Sequence, residues 1–332
     1  MKRPSMTVGL AIAVVAALTF GTSGVFIKPV LEAGWSPAAA VTVRALVGGI
    51  VLAPFAIASL RGSWAALWRA RWRITLMALI GVAGTQLAYF AAIQRIPVGT
   101  AVLIEYLSPL LLVVFVCVRS RALPKAVVLV GSVLALVGIV LVVSPGGAAA
   151  LDPIGLVLAL AAMVGCAIYY VVAAQPSDGL PPVALAGFGL LLGGVLLGII
   201  GATGLVPFTA TFGEVGFFGG VAPWWVPLAF VGVVSTAIAY ATSITASEIL
   251  GSRIASFAGQ LEVVAATVFA WLLLGETLSI AQLIGGALIV AGIVFVRLEK
   301  TASGQVDAAL EPFEPVGLPA PGVPAGSARL VE

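Results

Sequence analysis

The feature that most constrains this chain is a succession of apolar stretches, each roughly 18–24 residues long, broken by short segments that gather charge, proline and glycine. A helix of that length crosses about 30 Å of hydrocarbon. We place spans at Val8–Leu31, Ala38–Leu60, Ile74–Ile93, Gly99–Val118 and Ala126–Val143. A second five run Ile154–Ala174, Val183–Ile200, Val226–Thr245, Ala255–Leu274 and Ala281–Val296. Lipid offers no partner to backbone N–H and C=O groups, so spans of this kind are predicted to be helices. Composition agrees: 61% of residues are hydrophobic and 9% charged, where a soluble domain carries about 25% charged residues. The apolar run from Val8 continues past Phe26 without a cleavage-type site, which predicts a first membrane helix and not a removed leader.

Lysine and arginine set the expected orientation. With the N-terminus inside, the cytoplasmic segments hold Lys2, Arg3, Arg61, Arg69, Arg71, Arg73, Arg119, Arg121, Lys125, Arg253, Arg297, Lys300 and Arg329. The outer loops hold only Arg95. Both termini are therefore expected in the cytoplasm of a multi-pass inner-membrane protein. The basic balance is a topology signal, and no nucleic-acid partner is expected. Trp64, Trp68 and Trp72 recur every four residues beside Arg69, Arg71 and Arg73, which predicts a short amphipathic helix on the inner leaflet. The chain has no histidine, and Cys117 and Cys166 lie in apolar runs, so no metal site, disulfide or cofactor is expected. Residues 301–332, rich in proline, glycine and alanine, are expected to form a disordered cytoplasmic tail.

An internal repeat organises the rest. GVAGTQLAY (Gly81–Tyr89) in the third span matches GVVSTAIAY (Gly232–Tyr240) in the eighth, and Gly131 and Gly138 correspond to Gly285 and Gly292. Five spans per half is an odd number, so the second half must sit upside down relative to the first. The expected fold is an all-α membrane protein of ten transmembrane helices built as two inverted five-helix repeats, residues 1–150 and 151–300. Inverted repeats suit carriers, because two related halves can exchange conformations.

These residues resemble the EamA-type carriers of the drug/metabolite transporter superfamily over residues 8–298. The carrying segments are LTFGTSGVFIKPVLEAGWSPAAAVTVRALVGG (Leu18–Gly49) and QLEVVAATVFAWLLLGETLSIAQLIGGALIVAGIVFV (Gln260–Val296). The resemblance implies helices around a central cavity, with the fifth and tenth packed at the back. It also implies export or exchange of amino acids and related metabolites. One departure stands out: SRALP (Ser120–Pro124) occupies the place where many relatives repeat the Gly275-Glu276 turn.

Ionisable groups inside a span cost roughly 2.5–3.5 kcal/mol and need a reason. Lys28, near the outer end of the first helix, is expected to snorkel to the headgroups, the alternative being an anionic substrate. Arg44 serves either a structural bond or a substrate carboxylate. Glu105, in IEYLSP with Tyr106 and the helix-kinking Pro109, and Glu262, beside Gln260, are the candidate substrate-binding or coupling carboxylates. Tyr89, Tyr240, Gln86 and Tyr169, together with Tyr170, are candidate hydrogen-bond partners. Glu276 is expected to start the last helix and not to gate.

The expected function is secondary transport of a small polar metabolite, with amino-acid or related metabolite export favoured over drug efflux or uptake. An intramembrane enzyme using Glu105 and Glu262 as acid and base is the alternative of a different class. It is disfavoured because the chain lacks histidine, a metal cluster and a nucleophile–base motif. No phosphate-binding loop is present, so ATP is not expected to drive transport directly. Expected partners are a small-molecule substrate and the lipid bilayer, with room for proton coupling. Substrate identity, transport direction and oligomeric state are not legible.

Overall fold

The structure, a computed structural model, describes residues 6–108, 110–111, 126–143, 151–174, 179–243, 245–246, 249, 261–277 and 279–298. It is mostly helical. The helices are α1 (Met6–Glu32), α2 (Pro37–Leu60), α3 (Trp64–Arg69), α4 (Arg71–Leu76), α5 (Thr85–Ile93), α6 (Val98–Glu105) and α7 (Ala126–Val143). They continue with α8 (Pro153–Ala174), α9 (Pro182–Ala202), α10 (Trp225–Gly232), α11 (Leu261–Leu274) and α12 (Ile280–Leu298). Five helical segments are long and apolar enough to cross a membrane: Met6–Glu32, Pro37–Leu60, Arg71–Ile93, Pro182–Ala202 and Trp225–Ser243. Shorter apolar helices occupy Leu129–Gly138, Pro153–Tyr169, Leu261–Leu274 and Ile280–Gly292. Large apolar side chains stand exposed, Ile50 and Phe55 of α2 each at 63%. Such a surface needs lipid around it, since water-facing monomers rarely expose wide apolar patches.

Helix ends show why the chain turns where it does. Ser36 caps α2, its hydroxyl accepting from Ala39 N, with Pro37 at the first helical position. Asp152 caps α8 by accepting from the N–H groups of Ile154 (2.7 Å) and Gly155 (3.2 Å) and also pairs with Arg95. The Gly155 N–H first, and then Arg95, hold the Asp152 carboxyl below its ordinary value. Its stabilisation is therefore present above that ordinary value and lost as pH falls through the depressed one. Ser279 and Gln282 form a reciprocal capping box at the start of α12. That box does the work expected of Glu276, whose side chain is engaged elsewhere.

Two features depart from an all-helical reading. Residues Glu214–Phe217 and Gly220–Pro223 form an antiparallel hairpin, β1 and β2, turning through Phe218 and Gly219 at positive φ. Two stretches, Met77–Gly84 and Val233–Ile238, are π-helix. At each a threonine hydroxyl donates to the carbonyl five residues back, Thr85 just after the first stretch to Ile80 (2.7 Å) and Thr236 within the second to Val231 (2.9 Å). The expected amphipathic helix is two short helices, α3 and α4, meeting at Ala70. It turns Ala66, Ala70 and Ile74 inward and leaves Trp64, Trp68 and Trp72 exposed.

Helix packing is tight where glycine removes the side chain. α7 lies along α12, and α2 along α9. A Cβ on Gly138 would meet Gly285 O and, at 2.9 Å, Ile289 N; one on Gly292 would meet Gly131 O and, at 2.8 Å, Ala135 N. The backbones themselves are therefore in contact. α1 packs on α11, α5 and α6 pack on α8, and α6 on α11.

Gly292→Ala should consequently lower stability by about 1–3 kcal/mol, the usual cost of overpacking. Gly286→Ala on the same helix, whose Cβ meets only the Leu103 side chain at ordinary contact distance (3.4 Å), should be tolerated. Thermal unfolding of the purified variants in detergent checks the difference.

Candidate functional site

The site is built around Arg44, which is 5% exposed on α2. Its Nε donates to Thr236 Oγ1 at 2.8 Å, its Nη1 donates to Gln86 Oε1, and the guanidinium lies over the Phe90 ring, 5.4 Å from the centroid. These partners come from different parts of the chain. Thr236 belongs to the second π-helix, Gln86 and Phe90 to α5. Gly48, one turn beyond Arg44, supplies the room: a Cβ there would strike the Thr236 side chain. Thr236 thus accepts from the guanidinium while its hydroxyl donates to the Val231 carbonyl, five residues back.

A small pocket opens beside the guanidinium, lined by Val41, Arg44, Val82, Gln86, Leu190 and Tyr240. In this state it has room for about one water-sized group beside its single charged side chain. Arg44 is also close enough to Tyr240, Tyr89, Glu105 and Glu262 for electrostatic interaction with each. Tyr106 lies within hydrogen-bonding reach of Glu262. Glu105 ends α6, and the chain tightens behind it, Leu107 N donating to Ile104 O. The helix ends there, and Pro109, the residue expected to kink it, lies outside the described residues.

Most of the sequence candidates converge here, though in different ways. Tyr240 lines the pocket and meets Phe20 edge-on at 5.2 Å between centroids. Tyr89 is buried, and its hydroxyl points at the place where Gly24 carries no side chain. Tyr169 is drawn elsewhere. It packs against Met77 and Gly81, in a separate apolar cluster with Ile74 and Leu180. Gln260 lies outside the described residues, as does the side chain of Tyr170. Cys166 is buried and accepts a hydrogen bond from Ser108 at 3.3 Å.

Lys28 and Glu276 depart from expectation. Lys28 does not snorkel: its Nζ pairs with Glu276 Oε1, which also accepts from Val98 N at 3.1 Å. Proximity across 248 positions outweighs both the headgroup and the local helix start as a partner for these charges. Sequence reasoning also passed over Thr236, Ser235 and Thr22. The last two share a hydrogen bond at 2.7 Å that ties α1 to the second π-helix. Thr236 stood inside the repeated motif and could have been found there by asking which repeat residues carry a hydroxyl.

Thr236→Val should leave both the Arg44 Nε–H and the Val231 carbonyl without their donor–acceptor partner, costing about 1–3 kcal/mol. Thr236→Ser should recover most of it. Thermal unfolding in detergent distinguishes the two, and equal stability of both variants would remove Thr236 from the arrangement.

Comparison with known proteins agrees with this architecture. The EamA-like transporter family matches residues 7–144 and, separately, 153–298. An uncharacterized inner membrane transporter, YicL, of Salmonella typhimurium is 21% identical over 297 residues, covering 88% of this chain and 96% of that protein. An uncharacterized transporter of Archaeoglobus fulgidus is 25% identical over 291 residues, covering 87% and 96%. One solved crystal structure superposes with a TM-score of 0.57 at 21% identity, covering 89% of this chain and 98% of its own, a likeness of fold alone. With the family matched in both halves of the sequence, the chain belongs to the EamA-like transporter family.

Proposed function

We propose that this transporter is a secondary carrier that exports a small polar metabolite, an amino acid or a related compound, across the inner membrane. The observation that carries the reading is the Arg44 cluster. A buried guanidinium lines a small pocket with Gln86 and Tyr240, and Glu105, Glu262 and Tyr89 lie within electrostatic range of it. A carboxylate-bearing substrate would find its counter-charge at Arg44, and a substrate ammonium or a proton would find Glu105 or Glu262. None of this chemistry makes or breaks a covalent bond, and transport is what the family does.

The same proposal takes ten membrane helices in two inverted halves. Three observations support it: the double family match, the twin threonine-capped π-helices, and the reciprocal glycine contacts of α7 and α12. In that arrangement Gly138 faces Gly285 as Gly292 faces Gly131, the exchange expected of a twofold axis. Both termini then lie in the cytoplasm and the hairpin lies outside.

Topology is tested by cysteines at two exposed positions. Gly213→Cys, beside the hairpin, should react with a membrane-impermeant maleimide added to intact cells. Ser63→Cys, between α2 and α3, should react only in inverted vesicles. Labelling of both from one face would end the two-halves arrangement.

Transport is tested in vesicles loaded with a panel of amino acids and related carboxylates. Glu105→Gln keeps shape and most hydrogen bonds but cannot ionise, so it should insert normally and lose at least about 90% of flux, a loss of roughly 1.4 kcal/mol or more in the rate-limiting step. Glu105→Asp should retain part of the flux. A Gln variant with the wild-type initial rate would make Glu105 a structural residue.

A further inference from the structure

We infer that Lys28 and Glu276 form the latch of a gate at the hairpin end of the bundle, closed in this state and released when the site opens at that end. The inference rests on the transporter reading and adds a residue pair that lies outside the Arg44 cluster. One carboxylate oxygen, Glu276 Oε1, joins three elements. It takes a charged donor from the last turn of α1 (Lys28) and a backbone donor from the first residue of α6 (Val98), and it belongs to the turn between α11 and α12. Gly275, at φ 67, follows α11 and opens that turn. A carboxylate at the N-terminus of α6 also meets that helix's free N–H groups, where negative charge is favoured.

The pair is set apart from an ordinary rim salt bridge. Its side chains are 18% and 11% exposed, whereas Arg95 and Asp152 are 43% and 33% exposed. Solvent screening that makes rim pairs nearly neutral acts weakly here. The other oxygen, Glu276 Oε2, is buried and has no hydrogen-bond partner among the described residues. A closed state that leaves one buried carboxylate oxygen unsatisfied is held by few bonds and can be released at modest cost, which is what a two-state element requires. Position supports the same role. Gly24, one turn below Lys28 on α1, faces both the Val98 side chain and the Tyr89 hydroxyl. The latch therefore lies directly above the Tyr89 side of the polar cluster.

A second closure stands beside it. The turn between α1 and α2 is stitched to residues 209–211: Ser36 N donates to Thr209 O (3.0 Å), Thr209 N to Ser36 Oγ (3.0 Å) and Trp35 Nε1 to Thr211 O (2.7 Å). Trp35 stacks on Trp224, and Phe26 on Phe230. These contacts tie α1 and α2 to the hairpin segment and to α10, while the latch adds a charged tie from α1 to α6 and the α11–α12 turn. Breaking the latch loosens the outer end of α1 from α6 and the α11–α12 turn, while its packing on α11 one to two turns below is kept and can serve as the pivot.

The test reads access and needs no substrate, so it stands whether or not a transported compound has been found. In a Cys117→Ser, Cys166→Ser background, Ser23→Cys places a thiol at a buried position (7% exposed) a little over one turn below Lys28. Its rate of labelling by an impermeant sulfonated maleimide is measured in intact cells and in inverted vesicles, with Gly213→Cys marking the hairpin face. Glu276→Gln and Lys28→Gln should each raise the rate from the hairpin face roughly tenfold, the scale of one charge-assisted hydrogen bond. Lys28→Glu with Glu276→Lys should bring it part of the way back, since a lysine at 276 cannot accept the Val98 N–H. Unchanged rates in both single variants would overturn the latch. So would an equal rise from both faces, the mark of a merely structural ion pair whose loss loosens the whole bundle.

Discussion

A guanidinium carried into an apolar bundle must find acceptors that the protein itself provides, and the centre of this molecule is arranged around that need. Arg44 obtains them from Gln86 and Thr236, one from each copy of the repeated motif. To reach Arg44, Thr236 must approach α2 closely, which Gly48 permits, and must leave its own backbone register, which the π-helix permits. Leaving the guanidinium without one of these acceptors costs about 1–3 kcal/mol, more than any one apolar contact gains here. The packing of α2 against the second π-helix and α5 follows from that inequality. The pocket beside Arg44 is what the same close approach leaves over.

The π-helices show how an odd local structure can be stable in lipid. Each widened turn leaves a carbonyl whose usual partner is displaced, and lipid cannot replace that partner. Thr85 and Thr236 supply hydroxyl donors five residues on, so the carbonyls of Ile80 and Val231 are satisfied without water. Gly165 lies against Thr85 as Gly48 lies against Thr236, so a missing side chain on a neighbouring helix accompanies both bulges. Functional sites often sit at such turns, since a bulge re-aims side chains on either side of it. Gln86 and Tyr240 are aimed in this way.

What was legible in the sequence follows from what kind of information each feature needs. Apolar length is a property of one segment at a time, so α1, α2 and α9 fell within a few residues of their expected bounds. The repeated motif was visible as letters, and it marked both π-helices without revealing them, because backbone register depends on partners in space. The hairpin had a local signal in the Gly219-Gly220 pair between apolar residues, masked by the expectation that everything near the membrane is helical. Lys28 and Glu276 had none. Each had a sensible local explanation, snorkelling for one and helix initiation for the other, and only proximity across 248 positions displaced both. Tyr169 packs in a cluster apart from Arg44, which a polar letter on an apolar helix could not foretell.

The Glu276 contact also bears on direction. In an inverted duplication, exchanging the conformations of the two halves exchanges the two ends, so any contact with a counterpart favours neither state. Glu276 has no such counterpart in the sequence, for the matching turn of the first half reads Ser120-Arg121-Ala122-Leu123-Pro124 and carries no carboxylate. The hairpin, too, belongs to the second half alone among the described residues. On the inverted-repeat reading these are symmetry-breaking contacts, and both lie at the same end. A difference of about 1.4 kcal/mol between the two states shifts their populations tenfold, well within the worth of one charge-assisted hydrogen bond. On the latch proposal, a carrier with this asymmetry would rest closed at the hairpin end and open there when bound substrate offsets the latch. Resting in that state costs nothing in reversibility; it sets which face the empty site meets first.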